Sequence, residues 1–231
     1  EVYYFNELGL MVMAGMTSGF INGNIQEGDN RAPSIYGKLA FDKDINDDLR
    51  VRLSASVYAN SNAGRNTLYA GDRAGSRFYL AMESAYNRPR GSNSYTTTNA
   101  TDVFTSGRLN PGFSNQVRSI MVNPFIKYKG LELFGTFETS TGLANFDPRP
   151  DGANEPDSRT VSQIGIEGVY RFLENEQFYI GVKYNRVNGE LNARVSNDVS
   201  SDRIEIAAGW YPIKNLLLKA SYVNQNYNEY P

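Results

Sequence analysis

Apolar and polar residues alternate along most of this chain with a period of two, and helical spacing is almost absent. The clearest run is Leu49, Val51, Leu53, Ala55, Val57 and Ala59 on one face, with Arg50, Arg52, Ser54, Ser56, Tyr58 and Asn60 on the other. Leu131, Leu133, Gly135 and Phe137 alternate with Glu132, Phe134, Thr136 and Glu138, and Ile164, Ile166, Gly168 and Tyr170 with Gln163, Gly165, Glu167 and Val169. The same rhythm puts Phe178, Ile180 and Val182 opposite Tyr179, Gly181 and Lys183, and Ile204, Ile206 and Ala208 opposite Arg203, Glu205 and Ala207. Such segments are strands with one dry face and one wet face.

Connection lengths separate a soluble antiparallel sheet from a transmembrane barrel. Short links at 5–9, 44–48, 129–130, 173–177 and 213–215 alternate with long polar links at 21–34, 61–116, 143–158 and 189–202. Tight turns at one end and long loops at the other are the mark of an antiparallel transmembrane β-barrel, with periplasmic turns and external loops. A soluble sheet binding a small ligand is the competing architecture, and it gives no reason for such segregation. Tyr3, Tyr4, Phe5, Phe41, Tyr128, Phe172, Phe178, Trp210 and Tyr211 lie beside short links, while Tyr58, Tyr184 and Tyr222 lie towards the long ones. Aromatic girdles at the two bilayer interfaces would place them so. Pro124 and Pro212 fall inside expected strands and mark a bulge or a strand end.

Up-down parity fixes the count. Residues 49–60 leave a short link and 117–128 enter one, so an added crossing near 76–85 would break the alternation. The interval 61–116 is therefore expected to be one external excursion with local structure of its own, folding into the pore. Ten crossings remain: 1–5, 9–20, 35–43, 49–60, 117–128, 131–142, 159–172, 177–188, 203–212 and 215–226. All of 1–231 then belongs to one barrel, and the stub at 1–5 and the unmatched end at 224–231 lead us to expect further strands in a longer chain.

Composition narrows the chemistry. With no His and no Cys, a Ser-His-Asp or Cys-His enzyme, a disulfide framework and a Cys-ligated zinc site are excluded within this chain. A mean hydropathy of -0.48 leaves no run of about 20 apolar residues for a membrane helix. Net charge is only -2, without the basic surface that nucleic-acid binding requires. The expectation is no enzymatic activity, no cofactor and no nucleic-acid partner.

Charge is uneven nonetheless. The excursion holds Arg65, Arg73, Arg77, Arg88, Arg90 and Arg108 against Asp72, Glu83 and Asp102, a net +3. On the wet faces Lys38, Arg50, Arg52, Lys127, Arg171, Lys183, Arg203 and Lys219 outnumber Asp42, Glu132, Glu138, Glu167 and Glu205. Rings of Arg and Lys in a pore favour anions, which makes Arg65, Arg73, Arg77 and Arg108 of the excursion, with Lys38, Arg50, Arg52, Lys127, Arg171, Lys183 and Arg203 of the wall, the candidate constriction residues. Cross-strand pairing with Asp and Glu would also account for these charges. Other motifs read blandly. Gly71-Asp72-Arg73-Ala74-Gly75 lacks the strand-to-helix setting of a phosphate loop. Asp147, Asp151, Glu155 and Asp157 lack EF-hand spacing, and Met11, Met13 and Met16 read as packing residues.

The stretches Asn66-Thr-Leu-Tyr-Ala-Gly-Asp-Arg-Ala-Gly-Ser-Arg-Phe-Tyr79, Thr105-Ser-Gly-Arg-Leu-Asn-Pro-Gly-Phe-Ser-Asn115 and Val169-Tyr-Arg-Phe-Leu-Glu-Asn-Glu-Gln-Phe-Tyr-Ile-Gly-Val-Lys-Tyr184 resemble porin-like outer-membrane proteins of the Bacteroidota, which are loosely similar to phosphate-selective porins. The resemblance runs from Glu1 to Tyr230 and implies a barrel roughly twice this long, of which this chain is the C-terminal part. It implies a Gram-negative outer-membrane location and no catalytic residue. The function expected is a passive channel for small hydrophilic solutes, with a lean towards anions, set among outer-membrane lipid and other outer-membrane proteins. The alternative is a structural or interaction barrel with a plugged lumen, to which the bulky inward residues Phe125, Phe134, Tyr179 and Tyr211 would contribute.

Overall fold

A computed structural model describes residues 1–18, 32–63, 86–87, 96–97, 111–113, 115–143, 158–173, 175–190 and 198–229. The strands are β1 (Val2–Phe5), β2 (Leu10–Thr17), β3 (Ser34–Asp44), β4 (Leu49–Asn60), β5 (Tyr86–Asn87), β6 (Thr96–Thr97), β7 (Gln116–Tyr128), β8 (Leu131–Leu143), β9 (Arg159–Phe172), β10 (Phe178–Gly189), β11 (Val199–Ile213) and β12 (Leu216–Asn228). Ten of them form one antiparallel sheet in the order β1-β2-β3-β4-β7-β8-β9-β10-β11-β12, in which every chain neighbour is a spatial neighbour. Among the described residues β5 and β6 pair with each other, while β1 and β12 are the two edges of the large sheet. Residues 76–85, where an added crossing would break the parity, lie outside the described residues. β11 begins four residues earlier than its alternation suggests, because Ser200, Ser201 and Asp202 hide the period while their backbones stay in register with Asn188, Val187 and Arg186.

Short turns hold the lower end together. Lys129 adopts φ +50°, and a Cβ on Gly130 would sit 2.2 Å from the Arg171 carbonyl oxygen, so glycine lets the neighbouring hairpin approach. Lys129 N–H donates to Asp48 O at 2.9 Å and Arg171 N–H to Gly130 O at 2.8 Å, linking successive turns.

One face of the sheet is apolar and uncovered. Leu53, Ile166 and Ile206 are 54%, 52% and 50% exposed, while their chain neighbours Ser54 and Ala207 on the opposite face are buried. Exposed aliphatic rows of this extent call for lipid. The border of the apolar face supplies a second argument. From β4 to β12 its upper edge drops by eight residues, from Ala59 to the register row of Val51 that holds Tyr222, and its lower edge by four, from the row of Leu49 and Ala220 to Leu216. Six strand-to-strand steps share that slope, about one residue per strand or a tilt of about 35°, which is that of strands closing a barrel. The chain is thus an all-β, antiparallel wall of a membrane-embedded β-barrel.

At the lower border Tyr170, Phe172, Phe178 and Trp210 stack along the lipid face with centroids 6.3, 5.9 and 5.6 Å apart. At the upper border the apolar face ends at Tyr184, whose hydroxyl donates to Asp202 Oδ1 at 2.7 Å, beside the Arg186–Asp202 pair at 3.7 Å. The expected girdles need correction in membership. Tyr3, Phe5, Tyr58 and Tyr211 point to the inner face: Tyr3 and Phe5 share rows with Met13 and Met11, Tyr58 bonds Ser34, and Tyr211 lies against Tyr179.

The two prolines act differently. Pro212 lies in a register shift between Trp210 and Ile213, a bulge near the strand end. Pro124 shifts nothing: Val122 faces Phe137 and Phe125 faces Phe134, in one unbroken register. Its missing N–H is offset by Asn123, whose Nδ2 donates to Gly135 O at 3.2 Å and to Thr136 Oγ1 at 3.1 Å. Asn123→Ala is therefore expected to cost about 1–3 kcal/mol by leaving that carbonyl unpaired. Denaturant unfolding in lipid vesicles measures it, and a cost no larger than that of Ser56→Ala refutes the compensation.

Candidate functional site: the inner wall

The register arranges the inner face in rows. A neutral polar row runs Ser54, Asn123, Thr136, Gly165, Asn185, ending with Arg203 and Gln225. Below it runs Asp42, Arg52, Phe125, Phe134, Glu167, Lys183, Glu205 and Val223. The next holds Asp44, Arg50, Lys127, Glu132, Val169, Gly181, Ala207 and Ser221, and the lowest Arg171, Tyr179, Gly209 and Lys219. Alternation alone puts these side chains on one surface, because each is an even number of positions from the next inward residue of its strand.

Most of the cations there are paired. Arg50 grips Asp42 with two hydrogen bonds of 2.8 Å, from Nε and Nη2. Glu132 receives both Lys127 at 3.7 Å and Arg171 at 3.3 Å. Lys183 lies 3.2 Å from Glu167, and Glu205 receives Arg203 at 3.9 Å and Lys219 at 3.8 Å. Half-exposed pairs of this kind add little to stability, about 0–1 kcal/mol each. Their larger effect is electrostatic, since a neutralised wall exerts little pull on either sign of ion. Among the described residues no carboxylate comes within ion-pair distance of Lys38 or Arg52, and the Arg52 guanidinium instead stands 4.8 Å over the Phe125 ring. Arg65, Arg73, Arg77 and Arg108, with the acidic loop residues Asp147 to Asp157, lie outside the described residues. Among the described residues no cluster of three acidic side chains could hold a metal.

The inner face changes character along the barrel axis. At the long-loop end Asn60, Val117, Ser119, Ser140, Arg159 and Val199 are buried, whereas the long charged and aromatic side chains of the lower rows are half-open. Phe113 sits there fully buried: a Cβ on Gly142 would lie 2.5 Å from its ring, and the Arg159 guanidinium stands 5.6 Å from it. Gly142 is inward by parity, so Phe113 occupies the lumen side of β8. Ala63 N–H donates to Asn115 O at 2.8 Å and Asn115 N–H to Leu143 O at 3.0 Å, which pins the two ends of the 61–116 interval to each other and to β8. Sequence reasoning missed this seat. Its one signal is an inward glycine at 142 within a strand, which marks a close approach.

No protein-family model matches the chain, and no curated protein matches it. Two crystal structures of the Pseudomonas putida toluene transporter TodX are similar to it at 14% identity and a TM-score of 0.33, over 94% of this chain and 63% of TodX. The chain thus spans less than two thirds of the length of these solved structures.

Proposed function

We propose that the chain is part of a porin-like barrel of the bacterial outer membrane that passes small hydrophilic solutes by diffusion. The observation that supports this most is the inner wall itself, where polar and mostly paired charged side chains gather on the face opposite the lipid-facing aliphatics, because only an aqueous lumen rewards such a face. The resemblance to porin-like proteins of the Bacteroidota favours the same reading. With the other wall cations paired, an anion lean within the described wall is carried by Lys38 and Arg52. The test is single-channel conductance of the full-length protein in planar bilayers, with the reversal potential under a salt gradient. Expected are a steady open current and an anion-side reversal that Lys38→Gln with Arg52→Gln moves measurably towards zero. A stably inserted but silent barrel overturns the reading. It would favour the second one, a plugged barrel serving an outer-membrane assembly, for which the buried seat of Phe113 speaks.

A further inference from the structure

The lower inner wall of β9 to β12 contains a trough. Its floor is the row Val169, Gly181 and Ala207, short side chains that leave a depression of about 310 Å³. One rim is Glu167, Lys183 and Glu205, and the other is Arg171 and Tyr179 with Lys219. Tyr179 lies flat against the wall: a Cβ on Gly209 would meet its ring at 2.0 Å, so glycine there is what lets the ring lie down. Arg171 stands 5.6 Å from the Tyr179 ring centroid while bonding Glu132, and Tyr211 tilts against Tyr179 with centroids 6.4 Å apart.

From these groups we infer that the trough is a binding subsite for a neutral, polyhydroxylated solute of single-ring size, a monosaccharide. The inference rests on the channel reading and names the solute class. Charge argues for neutrality, since every cation on the rims already has a carboxylate within 3.2–3.8 Å and an entering anion or cation would have to displace one. Hydroxyl groups need no such exchange, because they donate to Glu167 and Glu205 and accept from Arg171, Lys183 and Lys219 while the pairs persist. The floor and the two tyrosine rings supply the apolar contact that the carbon face of a sugar ring offers. The volume lies at the low end for small-molecule sites, which fits one ring rather than a chain.

Gly181 provides a clean variant. A Cβ there meets Val169 Cγ2 at 3.5 Å and Gly168 O at 3.6 Å, both ordinary contacts, so the strand admits a side chain at 181 and Gly181→Val adds three carbons to the floor. Current through the full-length channel is recorded while D-glucose is added, with potassium phosphate as the anionic probe. The expected result is a saturable, glucose-dependent interruption of current that Gly181→Val weakens about tenfold. A glucose effect that grows linearly with viscosity and is equal in parent and Gly181→Val overturns the subsite but leaves the channel standing. Saturable block by phosphate in place of glucose likewise overturns it. If the barrel inserts but carries no current, the channel reading fails, and calorimetric titration of the detergent-solubilised full-length protein with glucose decides the trough alone: binding lost in Gly181→Val supports it, and no binding in the parent refutes it.

Discussion

Ile166→Arg lowers the unfolding free energy of the barrel in lipid vesicles by about 1–3 kcal/mol, whereas Gln163→Arg, three residues earlier on the same strand, changes it by less than about 1 kcal/mol. Ile166 lies on the lipid face between Gly135 and Tyr184, one outward position inside the upper end of the apolar band of β9 at Ile164, and a guanidinium there must be dragged into hydrocarbon or reach past Ile164 to leave it. Gln163 lies on the inner face beside Glu138, where an arginine gains a carboxylate and water. The same change at Tyr170, in the lower aromatic border, should cost only about 0–1 kcal/mol, since penalties fall towards the interface. Denaturant titrations followed by the fluorescence of Trp210, itself stacked on Phe178, would report all three variants. Equal costs at Ile166 and Gln163 would mean that the exposed apolar face does not meet lipid, and would bring back the soluble two-sheet architecture.

That contrast depends on parity, which is also the property most legible in the sequence. The run from Leu49 to Asn60 identifies its strand, its two faces and its direction without any tertiary information, and β4 spans those residues. Parity reads less well where it is masked by uniform polarity, as at Ser200 to Asp202, or where aromatics sit on both faces. Tyr3 and Tyr4 are adjacent and both near a short turn, yet one belongs to the inner face and the other to the lipid face. Nearness to a turn gives height along the barrel and says nothing of side. The inner wall was legible as a set of charges but not as a set of pairs. Pairing depends on register between strands, so Glu132 collecting both Lys127 and Arg171 from different strands is invisible to a one-strand reading. Counting cations against carboxylates therefore overstates the field in the lumen, which register reduces to Lys38 and Arg52 among the described wall residues.

Phe113→Ala should widen the conducting path at the long-loop end, raising open-channel conductance by on the order of twofold. The ring is fully buried against Gly142 and Arg159 on the lumen side of β8, at the level where the inner face passes from half-open to buried. Deleting it removes contacts that a buried phenylalanine normally values at about 3–5 kcal/mol. The loss is local, because the seat touches the β7–β8 and β8–β9 ladders only at their end around Gly142, and both continue from Thr141 down to Leu131. Global unfolding should shift far less than the conductance does, and protease cleavage near residue 113 should rise in parallel. Gly142→Ala attacks the seat from the other side: its methyl would meet the Phe113 ring at 2.5 Å and Gln116 O at 2.4 Å, so one of them must give way. Two variants that break one contact, by deleting the ring and by crowding its seat, and raise conductance together would make Phe113 the stop that narrows the lumen. If Phe113→Ala leaves both conductance and cleavage unchanged, the ring is packing for the base of the 61–116 interval alone, held already by the Ala63–Asn115 and Asn115–Leu143 hydrogen bonds, and the narrowing of the lumen must be sought elsewhere on the inner face.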